Sequence, residues 1–280
     1  MRMAGFSSIA FVAALAACQA DAGEGAAGTQ ASSRSSASAS GANASVSTSA
    51  SGNGSASARS ESRANGALTV KEETDSYYFD YAWPAPAGRL PGLAAELERR
   101  MDKAKAGLID QTDEARADAE ANDYPYRPHS YAMEWQVVAD LPGWISLSGM
   151  VDTYQGGAHG NQFMQSLVWD KDAERGYDGV ELFTSAAALQ RALGARYCAG
   201  MPQAWLEKMD EVPEGRECPD LADLEVLVGS SNDRTFDRMT LVAAPYVAGS
   251  YAEGFYEIDL AVDSRVRGAV KPRFRAAFGG

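Results

Sequence analysis

Tyr131-Ala132-Met133-Glu134-Trp135-Gln136-Val137, then Leu141-Pro142-Gly143, then Trp144 to Thr153: the architecture turns on this stretch. Apolar and polar residues alternate on both sides of a Pro-Gly connection, and a period of two places one set of side chains on each face of a strand. The reading is a β-hairpin. Upstream, Leu93, Leu97, Met101, Ala104 and Leu108 recur at helical spacing behind Pro91. They predict an amphipathic helix over Gly92 to Asp110, with a polar extension beyond it, and its apolar stripe is core rather than a cofactor site. Downstream, a third strand is expected over Gln162 to Trp169, ending in the turn-like Asp170-Lys171-Asp172. Thr184-Ser185 can cap a helical run from Ala186 to Cys198, and a second short helix is expected over Ala204 to Met209. Strands return at Leu224–Val228, Phe236–Val242 and Tyr256–Val262, with a terminal segment from Val266. The pattern is α+β: an antiparallel sheet packed by helices on one face, after a disordered N-terminal tether.

The tether follows from composition. From Asp21 to about Ala67 the chain is almost entirely Ser, Ala, Gly and Asn and lacks any aromatic residue, so it has nothing to offset the entropy of ordering. A random coil of that length spans on the order of 35 to 40 Å. Before it, an apolar run opens with Arg2 and ends in Leu15-Ala16-Ala17-Cys18. That is the plan of a secretory signal with a small-residue cleavage site, and the cysteine at its end resembles the lipobox of bacterial lipoproteins. The resemblance implies cleavage before Cys18 and acylation of that residue, with several acyl chains giving stable anchoring. An ordinary signal peptide cut nearby is the competing reading. Gln19, rather than an aspartate after the cysteine, favours the outer membrane. The expected division is therefore signal peptide 1–17, lipidated cysteine and tether 18–67, and a globular domain 68–280, whose length also accommodates two subdomains at about 68–150 and 151–280.

The formal net charge is −13, and loss of Arg2 with the signal makes it one unit more negative. Nucleic acid is an unfavourable partner for such a chain, whereas cationic polypeptides are attracted. Of three cysteines, lipidation of Cys18 leaves Cys198 and Cys218 as an even pair in an oxidising compartment, where a disulfide is the natural inference. Their spacing does not fit a CxxC redox or metal site.

Tyr154-Gln155-Gly156-Gly157-Ala158-His159-Gly160 lies between two expected strands. Its glycines imply positive φ or a close backbone approach, and His159 offers an imidazole that titrates near neutral pH. A structural turn and a functional loop are both compatible with these residues. The string resembles the hallmark of an extracytoplasmic domain family of unknown function found in RsiV-like anti-sigma factors and in PdaC-like peptidoglycan deacetylases. Ala244-Pro245-Tyr246-Val247-Ala248-Gly249-Ser250-Tyr251, followed by Tyr256-Glu257-Ile258, resembles that family's second segment. In RsiV-like proteins the domain is a lysozyme receptor. The resemblance therefore implies an envelope binding module with Tyr154, Gly156, Gly157, His159, Tyr246 and Tyr251 as ligand-binding residues, and lysozyme-like cationic protein or peptidoglycan as partner. The sequence shows no sigma-binding segment, spanning helix or deacetylase catalytic domain, so the signalling and deacetylase roles of those relatives are not expected of it.

Catalytic material is sparse. Only His129 and His159 are available, so a zinc site would have to recruit carboxylates such as Asp152 or Glu134. Neither a nucleophile elbow nor a phosphate-binding glycine loop is present, so no catalytic residue, metal or cofactor is assigned. A hydrolase using His159 as general base on an envelope polymer is the alternative function, and a structural scaffold is a third. Near the C-terminus, Lys271, Arg273 and Arg275 would share one face of a strand, most simply a solvated edge.

Overall fold

The computed structural model describes residues 57–280. The expected signal peptide, Cys18 and the tether as far as residue 56 lie outside the described residues. The hairpin sits at the middle of a seven-stranded sheet, in which β1 (Ala58–Ala64), β2 (Ala67–Glu73), β3 (Tyr77–Trp83), β4 (His129–Leu141), β5 (Trp144–Tyr154), β6 (Asn161–Asp170) and β7 (Arg175–Tyr177) follow in chain order. Neighbours are antiparallel except β3 and β4, which run parallel. A parallel pair needs a crossover. After the one-turn helix α1 (Ala85–Gly88), it is supplied by the 31-residue helix α2 (Pro91–Ala121).

α2 starts with Pro91 in its first turn, where a missing N–H costs nothing, and runs through the polar extension expected beyond Asp110. Leu93, Leu97, Met101 and Leu108 pack on Val70, Phe79, Tyr81, Met133, Trp135, Ile145 and Leu147 from β2 to β5. On the opposite face lies a second, three-stranded antiparallel sheet, in the order β10 (Tyr256–Ala261), β9 (Arg238–Ala243), β8 (Glu225–Gly229). Helix α3 (Ala186–Met209) buries Leu189, Leu193, Tyr197, Met201 and Trp205 against this layer. α+β is therefore the fold class, with helix α2 packed on one face of the large, mostly antiparallel sheet as expected; the structure adds a small sheet with α3 on the other face. A boundary at residue 150 would cut β5, whose residues pair on both sides with β4 and β6.

Other corrections concern elements whose local signals were overridden or missed. Residues 58–67, assigned to the tether, form β1, a turn and the start of β2; Asn65 and Gly66 both have positive φ (52° and 96°), as a two-residue hairpin turn requires. β1 is polar because it is an exposed edge, and its charges guard that edge. The two expected helices between Ala186 and Met209 are one, with Pro202 accommodated inside it and Ser185 accepting from the Ala188 N–H at 3.0 Å. The C-terminus is helical rather than extended: α4 (Ser264–Ala269) is capped by Asp263, and a 3-10 helix over Pro272–Phe278 buries Phe274 and Phe278. Its basic residues do not form a strand-face stripe; Lys271 donates to the Glu181 carbonyl and Arg273 lies over the rings of Tyr177 and Phe274.

Candidate functional site

The Tyr154–Gly160 loop joins β5 to β6, and the Tyr246–Tyr251 segment joins β9 to β10, so the two recurrent strings are contributed by different sheets. They meet at His159. Its ring stacks on Tyr251 with centroids 4.1 Å apart and interplanar angle 23°, and its Nε2 lies 3.0 Å from the Tyr246 hydroxyl. Nδ1–H donates to the Gly160 carbonyl at 2.7 Å, because a carbonyl can only accept. In the neutral ring, Nε2 then accepts from Tyr246. Tyr246 is 62% exposed and its backbone stands at φ 73°, a conformation that costs a non-glycine residue energy and persists only where the surroundings hold it.

The loop glycines divide by cause. Gly156 has φ 83°, and Gly160 approaches the Thr153 carbonyl so closely that a Cβ would come within 2.6 Å of it. Gly157 has neither constraint: its φ is not positive, and a Cβ would meet only the His159 carbonyl at 3.9 Å. Tyr154 does not join the His159 cluster. Its hydroxyl donates to the Gly157 carbonyl at 3.0 Å, so it braces the loop from within. Beneath Gly156 lies His129, buried and with burial holding its pKa below the usual imidazole range. Its Nδ1 has no hydrogen-bond partner among the described residues.

Tyr251 is held by a device that sequence reading passed over. Ser250 and Glu253 form a capping box on the 3-10 turn Tyr251–Glu253, a spacing visible as Ser-x-x-Glu. Glu253 accepts from Arg216 through two contacts (2.6 and 3.2 Å), from the Tyr256 hydroxyl at 2.5 Å and from the Ser250 N–H at 2.7 Å. The Arg216 guanidinium, with these further donors, holds the carboxyl down at about 2 against the opposing effect of burial. Arg216 lies two residues before Cys218, which is disulfide-bonded to Cys198 on α3. The expected disulfide is therefore present, and it ties helix α3 to the segment that carries Arg216. No local signal marks Arg216 in the sequence.

A carboxylate whose folded pKa is depressed contributes stability that is present above its unfolded pKa and lost as pH falls toward the folded value. The Tyr251 turn should accordingly lose stability as pH falls from about 4.5 toward about 2. Arg216→Met should flatten that dependence. Near-ultraviolet circular dichroism of the tyrosines against pH measures it, and an unchanged profile in Arg216→Met would refute the assignment. Among the described residues, no group of three or more His, Cys, Asp or Glu side chains is placed to hold a metal ion, and no helix is long and apolar enough to cross a membrane.

Residues 70–162 match the family model described as deacetylase PdaC. No curated protein matches the chain by sequence. Among solved structures, a DUF3298 family protein from Pseudomonas aeruginosa PAO1 is 15% identical, with 79% of this chain and 96% of that one covered at a TM-score of 0.39. A member of the same family from Bacteroides fragilis NCTC 9343 is 14% identical, with 80% and 96% covered at a TM-score of 0.38. The resemblance drawn from the Tyr154–Gly160 string is borne out at the level of the family: from β2 to the start of β6, with α2 and that loop included, the chain is similar to the PdaC-type domain.

Proposed function

We propose that the protein is a lipid-anchored, non-enzymatic module of the cell envelope that captures a cationic polypeptide on the His159, Tyr246 and Tyr251 surface. The observation behind this is convergence: three aromatic side chains from two loops of different sheets meet on the exterior, one of them in a strained backbone conformation. Exposed tyrosine and histidine rings offer a cation a π-face, and the tyrosine hydroxyl oxygens can still accept. The net charge of −13 attracts basic partners to the protein as a whole. The Leu15-Ala16-Ala17-Cys18 string and the long tether supply the anchor and the reach, on the periplasmic side of the outer membrane. A lysozyme-like protein has the required charge, and a peptidoglycan-derived ligand is the other outcome that the test distinguishes.

The test is an affinity pull-down with the full chain from envelope extract supplemented with lysozyme or with peptidoglycan fragments. His159→Ala and Gly157→Val should each weaken capture at least tenfold, because the first removes the ring shared by both tyrosines and the second places a branched side chain on the exposed loop, where the fold accommodates it and a bound partner would meet it. Both variants should keep the wild-type circular dichroism. Unchanged capture by both would refute this surface. Turnover of a wall fraction that disappears in His159→Ala would replace binding with hydrolysis, His159 then serving as general base.

A further inference from the structure

A groove of about 710 Å³ lies between the flank of helix α2 and β4 to β6, within the range of small-ligand sites. On the helix side, Arg99, Lys103, Gly107 and Gln111 follow one another at intervals of four residues and so form a row along the groove. On the sheet side stand Gln155, Asn161 and Gln165, with Phe163, which is 37% exposed. A second depression of about 570 Å³ shares Glu96, Arg99 and Arg100 with the groove and adds Arg175 and Glu174, so the trough is elongated, and its carboxylates are Glu96, Glu174 and, in the main groove, Asp178.

Gly107 is the informative residue. It lies in the middle of a 31-residue helix, where glycine is the least favourable residue after proline, and a Cβ there would meet nothing within 4 Å. Neither a positive φ nor a neighbouring backbone calls for it. What its lack of a side chain does is leave the groove open at its midpoint.

We propose that this groove binds a short acidic oligosaccharide, with Gly107 keeping the space clear. Gln155 Nε2 donates to Gln111 Oε1 at 2.7 Å across one end of the groove, and the amides of Asn161 and Gln165 each present a donor and an acceptor together, which suits the adjacent hydroxyls of a pyranose. Phe163 offers an exposed aromatic face for the sugar's C–H surface. Arg99 and Arg100 both pair with Glu96, whereas Lys103 forms none of the ion pairs found among the described residues and is available to a ligand carboxylate. Of the side chains that line the groove, only those of Ala104, Leu108 and Phe163 are wholly apolar, so it suits hydroxylated rings better than the varied side chains of a peptide. His159, Tyr246 and Tyr251 do not line it, and the inference stands independently of the function proposed above.

Calorimetric titration of the full chain with tetragalacturonate, the neutral N-acetylglucosamine tetramer and a tetraglutamate peptide tests it. Wild type should bind the uronate most tightly. Gly107→Trp should weaken that binding at least tenfold without lowering Tm, and Gly107→Ala should raise Tm by a few degrees while changing affinity less than twofold. Lys103→Glu should weaken uronate binding about tenfold and leave the neutral tetramer within twofold. Binding of the peptide but not the uronate, failure of the uronate to bind wild type, or wild-type affinity in Gly107→Trp would each overturn the proposal.

Discussion

Trp135→Ala should destabilise the fold by about 3 to 5 kcal/mol, the largest effect expected of any single substitution here. Trp135 is 1% exposed at the centre of β4, facing the inner stripe of α2, and its indole N–H donates to the Tyr81 hydroxyl at 2.9 Å. Gly149 on β5 makes room for it, since a Cβ at that position would approach the indole to 2.9 Å. Removing the ring opens a cavity that the backbones of two central strands cannot close, and it also leaves the buried Tyr81 hydroxyl without its donor. Trp135→Phe should fill most of the volume and cost less. Thermal unfolding followed at 222 nm measures both, with an expected fall of roughly 10 °C for alanine in a domain of this size. A change under 1 kcal/mol for Trp135→Ala would show that the α2 core is not cooperative with the sheet.

The second large effect is loss of the Cys198–Cys218 bond. It closes a sequence separation of 20 residues, worth about 3 kcal/mol in the chain-entropy account. Its removal by the double variant Cys198→Ser and Cys218→Ser should also loosen the segment carrying Arg216, and hence Glu253 and the Tyr251 turn. Capture at the aromatic surface should therefore fall together with Tm, although neither cysteine touches that surface. Wild type in reductant should reproduce the double variant. If it loses stability but keeps full capture, the link from disulfide to Tyr251 is broken at Arg216.

Much of the fold was legible because its signals are local. Period-two alternation announced β4, β5 and β6, and helical spacing from Leu93 to Leu108 announced α2, since each pattern reports only which residues must share a face. The Asn65-Gly66 turn was equally local but was obscured by the Ser/Ala-rich composition that precedes it. The terminal residues Phe274 and Phe278 stand at helical spacing behind Pro272, yet Lys271, Arg273 and Arg275 also alternate, and tertiary packing of the two rings decides for the helix. In the candidate site, His159, Tyr246 and Tyr251 were found by resemblance between strings, whereas Arg216 was invisible because an ion pair across 37 residues leaves no trace in local pattern.

By itself, then, the sequence determined the α+β class, the strand and helix periods, the acidic charge and the even cysteine pair. Tertiary structure alone decided which core each strand serves. Met133, Trp135 and Val137 pack toward α2, but a bulge between Val137 and Ala139 turns Ala139 and Leu141 toward the small sheet instead. In the sequence the apolar set continues at every second residue from Met133 to Leu141, with Val138 as an extra apolar residue at the bulge, and it records that residues are buried without saying which side of the sheet buries them. The meeting of His159 with Tyr246 and Tyr251 has the same origin. Loops from two sheets become neighbours only when β8 packs across β4 to β6, a contact set by the shape of both layers rather than by any one segment.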